Sequence, residues 1–196
     1  MNDSSVQDRV RCGWATLRPG PDCELYRKYH DEEWGRPLRD PVGLFERMSL
    51  EAFQSGLSWL IILRKRENFR RAFAGFDIDT VAGYTEADVW RLMADQGIVR
   101  NRSKIEATIA NARAAGELGS SAELSDLLWS FAPAKRPRPA ETSEIPSVTE
   151  ESKAMARELK KRGFRFVGPT TAYALMQATG MVDDHIRDCW VPAAVM

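Results

Sequence analysis

The most apolar part of the chain lies between Ser49 and Phe73, SLEAFQSGLSWLIILRKRENFRRAF. Met48, Leu50, Phe53, Leu57, Leu60, Ile61 and Leu63 form a surface that reads as buried. Gly56 is a natural helix stop and Ser58 a natural N-cap, so a break at Gly56-Leu57-Ser58 would divide this stretch into two helices. The first would begin at Asp40-Pro41, with Asp at the N-cap and Pro at the first helical position. The second would run from Ser58 to Phe73, apolar early and basic late.

Other elements follow from caps and stops. Asp22 caps a short helix from Glu24 to His30, and Asp77 caps one through Val81 and Ala82. Thr85 to Ala94 opens on a Thr-x-x-Asp capping box. Asn101 or Ser103 starts a helix to about Leu118, and Ser125 to Phe131 forms a short apolar one. Glu150 to Lys161 is amphipathic. Arg162 to Gly168 is a glycine-bounded hairpin, and Pro169 opens a helix to Thr179. Asp183 or Asp184 caps a last turn carrying His185 and Cys189. No segment alternates with period two and no internal repeat is visible, so the predicted class is all-α.

Residues 1–10 are polar and read as a flexible N-terminal extension, leaving 11–196 as a single helical domain. Pro133 to Thr142 reads as a flexible, solvated loop, basic at Lys135, Arg136 and Arg138. Lys and Arg number 28, as do Asp and Glu, so the 196-residue chain is neutral and any nucleic-acid contact must come from a local basic patch. No apolar run approaches the ~20 residues that span a membrane, and MNDSSVQDRV lacks the apolar core of a secretory signal. The expectation is a cytoplasmic protein with no membrane contact, acting as a monomer.

Three features carry candidate chemistry. Glu51 is a carboxylate on the rim of an apolar segment, which is costly unless it is paired, hydrogen-bonded or used. It either pairs with Arg47 one helical turn away or faces a pocket together with Trp59. On one unbroken helix, eight steps would separate Glu51 and Trp59 by roughly 12 Å, so the second reading requires the break at Gly56. Next, His185 and Cys189 have metal-ligand spacing on one helical turn. With Cys12 and His30 they would complete a closed, structural Cys2His2 zinc site tying the two ends of the chain together. The alternative is two buried thiols and two surface imidazoles. Cys23 is left over as a free thiol. Finally, Lys160, Lys161, Arg162 and Arg165 surround the hairpin between Gly163 and Gly168. The first turn of the following helix, at Thr170 and Thr171, points free N–H groups outward, which suits a DNA phosphate. The alternative is an αα-hairpin with a solvated rim.

These residues sit in longer motifs. In order they are RCGW at 11–14, YHDEEWG at 29–35, Leu50-Glu51, GLSW at 56–59, KREN at 65–68, LKKRGF at 159–164, FVG at 166–168 and VDDH at 182–185. Together they resemble the 3-methyladenine DNA glycosylase I family over most of the chain. The resemblance implies the helix-hairpin-helix DNA glycosylase fold, with the hairpin unit at about 150–180 and a structural zinc on Cys12, His30, His185 and Cys189. It also implies a base-recognition carboxylate at Glu51, a stacking Trp59 and a pocket tyrosine at Tyr29, with Trp14 and Tyr26 lining the same pocket. Residues 1–10, Pro19-Gly20-Pro21 and the Pro133–Thr142 loop depart from the pattern. Thr170 stands where a lyase lysine would be expected, so Schiff-base chemistry is not implied. Asp183 is a candidate electrostatic contributor or a plain N-cap.

The expected function is base excision repair: hydrolysis of the N-glycosidic bond of 3-methyladenine in double-stranded alkylated DNA, releasing the free base. A non-catalytic zinc-stabilised DNA-binding module would need the hairpin but not Glu51 or Trp59. A broad alkylpurine glycosylase would need a less selective pocket.

Overall fold

The computed structural model describes residues 9–16 and 20–193. Most of the predicted N-terminal extension, residues 1–8, and Pro19 of the early loop lie outside these residues. Among the described residues there are nine α-helices and no strand. No helix is long and apolar enough to cross a membrane.

Asp40 and Pro41 start the helix around which the others pack. The Asp40 carboxylate accepts a 2.7 Å hydrogen bond from the Gly43 amide, capping α2 (Pro41–Gln54). Every residue of α2 from Leu44 to Phe53 is buried. It packs against α3 (Trp59–Ala72), α6 (Arg102–Gly116), α7 (Ser121–Trp129) and α9 (Pro169–Ala178). Leu44, Phe45, Met48, Leu50 and Phe53 meet Phe69, Phe73 and Phe76 in the main core. The short α4 (Ile78–Ala82) and α5 (Glu86–Ala94) pack on α6, and Thr85 forms the expected capping box with Asp88. Asn101, not Ser103, caps α6 through the Lys104 amide.

The helical hairpin pairs α8 (Glu150–Lys161) with α9. Gly163 ends α8 with φ +89°, a left-handed conformation that a Cβ would strain. There the Gly163 amide bonds the Lys160 carbonyl and the Phe164 amide the Leu159 carbonyl. This is a Schellman closure, and buried Phe164 completes it against buried Leu159. Asn111 of α6 then clamps the turn, bonding both the amide (2.7 Å) and the carbonyl (3.0 Å) of Arg165.

Several expectations need correction. The first long helix, α1, is Pro21–Glu32, with Gly20 at the N-cap rather than Asp22. Pro21 takes the first helical position, which suits its fixed φ, and Asp22 pairs with Arg64 of α3 instead. Helix α7 starts one turn before the predicted Ser125. Leu57 is not part of the buried surface but 38% exposed in the turn between α2 and α3. His185 and Cys189 lie on an irregular turn, with the Cys189 amide bonded to the Ile186 carbonyl, and not on a helix. The Pro133–Thr142 loop is exposed at 134–137, as expected, but it is tied to the body of the protein by two arginines. Arg136 bonds the Asp184 carboxylate and the Tyr173 hydroxyl, and Arg138 bonds the Asp183 carboxylate and the Val191 carbonyl.

Candidate active site

The predicted break between α2 and α3 is present. Gly56 takes φ +82°, open only to glycine without strain, and Ser58 occupies the N-cap position without a side-chain bond. Lys104 holds the end of α2 by donating to the Phe53 and Ser55 carbonyls at 2.9 and 2.6 Å. The turn brings Trp59, at the start of α3, beside Glu51 on α2.

Both line a cavity of about 400 Å³. Tyr26 and Tyr29 reach it from one face of α1, Glu51 and Gln54 from α2, and Ala174 and Gln177 from α9. Each pair is three residues apart, the spacing that puts neighbours on one helix face. Trp14, Trp34, Thr142 and Ile145 complete the wall. Tyr29 and Trp59 meet with ring centroids 5.4 Å apart, and Trp14 packs edge-on to Tyr26 at 5.7 Å. All five predicted pocket residues therefore converge. Trp34, Gln54, Thr142, Ile145, Ala174 and Gln177 join them without having been singled out in the sequence. Helical spacing could have supplied Gln54 and Ala174, but only once their helices' facing was known.

Glu51 is 6% exposed, and its carboxylate accepts no hydrogen bond from the described residues. Burial pushes its pKa from the ordinary 4.5 up to about 7, with the positive charge of Arg47 opposing the rise. The expected pairing with Arg47 is not made. Arg47 donates to Glu33 at 2.9 Å, and Arg66 donates to the same carboxylate. The Arg47 guanidinium lies 5.0 Å from the Tyr29 ring centroid and 6.0 Å from that of Trp59. Its Nε and Nη1 are buried without an oxygen acceptor, and the two aromatic rings are the groups it faces. Burial likewise raises the pKa of the Tyr29 hydroxyl, which stays protonated at neutral pH.

The burial of Glu51 has a testable cost. Its folded pKa exceeds the unfolded one, so the neutral form's contribution to stability is fully present below about pH 4.5 and is lost as pH rises through 7. At pH 8 the carboxylate should destabilise the fold by roughly 3 kcal/mol. Glu51→Gln should then melt higher than the parent at pH 8, and the gap should shrink by pH 5.5. Thermal melts of both proteins at the two pH values check this; a gap independent of pH would contradict it.

A second cluster joins the chain ends. Cys12, His30, His185 and Cys189 are all buried, which rules out surface imidazoles, and their ligand atoms lie within 4.8 Å of one another. The Cys12 sulfur is 3.6 Å from His185 Nδ1, and the Cys189 sulfur is 3.4 Å from that atom and 3.6 Å from His30 Nε2. The outer ring nitrogens are held as well. His30 Nδ1 is 2.8 Å from Asp31, and His185 Nε2 is 3.1 Å from the Trp34 carbonyl. The Ile186 amide donates to the Cys12 sulfur. The group could hold a metal ion. Cys23 is buried apart from it, facing the Ala15 carbonyl at 4.0 Å.

At the hairpin, Gly163, Arg165, Gly168 and Thr170 are exposed and Thr171 is half-buried. The Ala172 amide is bonded to the Gly168 carbonyl, while the amides of Thr170 and Thr171 have no acceptor among the described residues. The adjoining groove, of about 690 Å³, is lined by Lys153, Arg157 and Lys160 together with residues 163–169. Lys153 and Arg157 went unnoticed in the sequence, although with Lys160 they share one face of α8. Asp183 is engaged elsewhere, accepting from Arg138 at 2.9 Å and from the His185 amide at 3.3 Å.

The family model described as methyladenine glycosylase matches residues 20–192. The chain is 47% identical over 183 residues to DNA-3-methyladenine glycosylase 1 of Escherichia coli (strain K12), covering 91% of this chain and 95% of that protein. A crystal structure of a 3-methyladenine DNA glycosylase I superposes with a TM-score of 0.84 at 45% identity, covering 92% of this chain and 98% of the other. A tyrosine-to-phenylalanine variant of such an enzyme, solved in complex with 3-methyladenine, gives 0.83 at 34% identity over 94% and 99% of the two chains. The chain belongs to the methyladenine glycosylase family.

Proposed function

We infer that this protein excises 3-methyladenine from alkylated DNA by hydrolysing its N-glycosidic bond. The observation that carries the reading is a buried, unpaired carboxylate, Glu51, set among the rings of Tyr29 and Trp59 in a cavity large enough for one purine. A module that only gripped DNA through its hairpin would need neither the cavity nor the cost of burying Glu51.

The chemistry follows from the substrate. Methylation at N3 gives the adenine ring a positive charge and weakens its bond to the sugar. The base leaves the stack at a cost of a few kcal/mol. Trp59 stacks on it, and its indole face attracts the cation. The Glu51 carboxylate accepts from the exocyclic amine and balances the ring charge, while the Tyr29 hydroxyl supplies a further hydrogen bond at the pocket edge. When the glycosidic bond breaks, its electron pair neutralises the ring, and water adds to the sugar carbon. Leu57, exposed in the turn joining cavity residues Gln54 and Trp59, is placed to fill the gap in the stack. With Thr170 where a lyase lysine would stand, hydrolysis ends at the abasic site.

Two further features support the activity. Zinc fits the Cys12–His30–His185–Cys189 group. Bond lengths of about 2.3 Å to sulfur and 2.0–2.1 Å to nitrogen give tetrahedral S–N edges of roughly 3.6 Å, matching the 3.4–3.6 Å separations. Four protein ligands leave no open position, so the metal would fasten the chain ends and take no part in the reaction. The hairpin, at Gly163, Arg165, Gly168, Thr170 and Thr171, is the grip on double-stranded DNA, its free amides and basic groove meeting phosphates.

The hairpin role is tested by Gly168→Asp. A Cβ at Gly168 meets nothing within 4 Å, and the position is the N-cap of α9, where Asp is favourable. The variant should fold, yet its carboxylate would occupy the phosphate site. Affinity for damaged and undamaged DNA should fall alike, by about tenfold or more, with a shallower salt dependence. Unchanged affinity in a fluorescence-anisotropy titration would show that the grip lies elsewhere. The activity itself is tested by assaying free bases released from methylated DNA.

A further inference from the structure

Gln177 lines the cavity from α9, and its side chain has a fixed orientation. Its Nε2 donates to Asp184 at 2.9 Å. Asp184 is fully buried and also accepts from the Tyr173 hydroxyl at 2.5 Å and from Arg136 at 2.6 Å. Its two oxygens already face a guanidinium and a phenol O–H as donors, and the end of the Gln177 amide that faces them is the NH2. The other end, Oε1, has no donor among the described residues and belongs to a side chain on the cavity wall.

The cavity thus holds a second acceptor besides Glu51, one that is neutral and cannot turn into a donor. An exocyclic amine has two protons to give. A purine with a carbonyl at that position has none and presents its own lone pairs. We propose that Gln177 is a specificity-determining residue that accepts the second amine proton of the flipped adenine, with Asp184 as the positioning residue that locks its amide. The proposal rests on the base-pocket reading above. Two acceptors on one amine explain how the pocket selects adenine derivatives through a group whose state does not depend on the protonation of Glu51. A site built to hydrogen-bond a ligand group rejects analogues lacking it, because its own polar atom is left unpaired.

The test is binding of free 3-methyladenine and free 3-methylhypoxanthine, in which a carbonyl replaces the amine, followed by tryptophan fluorescence. The parent should prefer 3-methyladenine. In Gln177→Met that preference should fall about 3- to 10-fold, the share of one neutral hydrogen bond. Gln177→Lys keeps a donor for Asp184 but has no acceptor, and should lose the preference likewise; it covers the case in which Met disturbs the buried network. A purely structural role would weaken both ligands equally, and an unchanged ratio or equal weakening in a folded variant overturns the proposal. If the parent binds neither base, the pocket reading itself fails, and the proposal falls with it. If the parent discriminates, Glu51→Ala loses binding and the Gln177 variants keep the parental ratio, only the Gln177 assignment fails.

Discussion

Glu51→Ala should cut release of 3-methyladenine by on the order of 100-fold or more, and Trp59→Ala by roughly 10- to 100-fold. Glu51 would lose a charge-assisted hydrogen bond in a water-poor site together with the countercharge to the cationic ring. Trp59 would lose a stacking platform of about 1–3 kcal/mol per base. Neither residue belongs to the Cys2His2 group or lines the hairpin groove, so metal content and binding to undamaged DNA should stay near parental. The pH dependence gives a second check. The carboxylate is the working form, and in the free protein it titrates at about 7. Activity under subsaturating substrate should therefore fall as pH drops through 7, and Arg47→Met should move that limb upward, because the Arg47 charge holds the Glu51 pKa down. Measuring excision and DNA affinity for each variant separates loss of the pocket from loss of the grip.

Cys189→Ala should lower stability by several kcal/mol rather than remove chemistry selectively. Cys189 stands 3.4 and 3.6 Å from the two imidazoles, and its segment carries Asp183 and Asp184, which anchor Arg138 and Arg136. Losing one of the four candidate ligands would loosen the C-terminal segment from Cys12 and His30 together. The melting temperature should fall by about 10 °C or more, and a chelator should do the same to the parent. Metal analysis should find one zinc per chain. Absence of zinc, with Cys189→Ala melting like the parent, would contradict the assignment.

What was legible in the sequence was local. The Asp40-Pro41 start, the Thr85 capping box, the bounds of α8 and the stop at Gly56 each act through bonds within a turn of chain. The Gly56 break was the condition for placing Glu51 near Trp59, and it could be read because glycine alone accepts that turn easily. What stayed hidden was decided between distant segments. Arg47 turned from Glu51, one helical turn away, to Glu33 on another helix, where Arg66 joins it. Arg136 and Arg138 stand in a stretch whose prolines and charges read as solvated, and neither their pairing with Asp184 and Asp183 nor the burial of Arg138 could be read there. His185 and Cys189 meet across an irregular turn, so their spacing pointed to a pair that does come together, but through the wrong local structure. Leu57 looked like core because it was apolar; only the path of the turn exposes it. The five residues that the motif resemblance implies line one cavity, but the resemblance was silent on Gln177, whose amide is oriented by a carboxylate seven residues on.

The most direct test of the account is to identify the bases freed from DNA treated with a methylating agent, which carries both 3-methyladenine and 7-methylguanine. The parent protein should release 3-methyladenine and leave 7-methylguanine in place, and Glu51→Ala should release neither above background. Release of 7-methylguanine as readily as 3-methyladenine, or a parental rate from Glu51→Ala, would contradict the pocket described here.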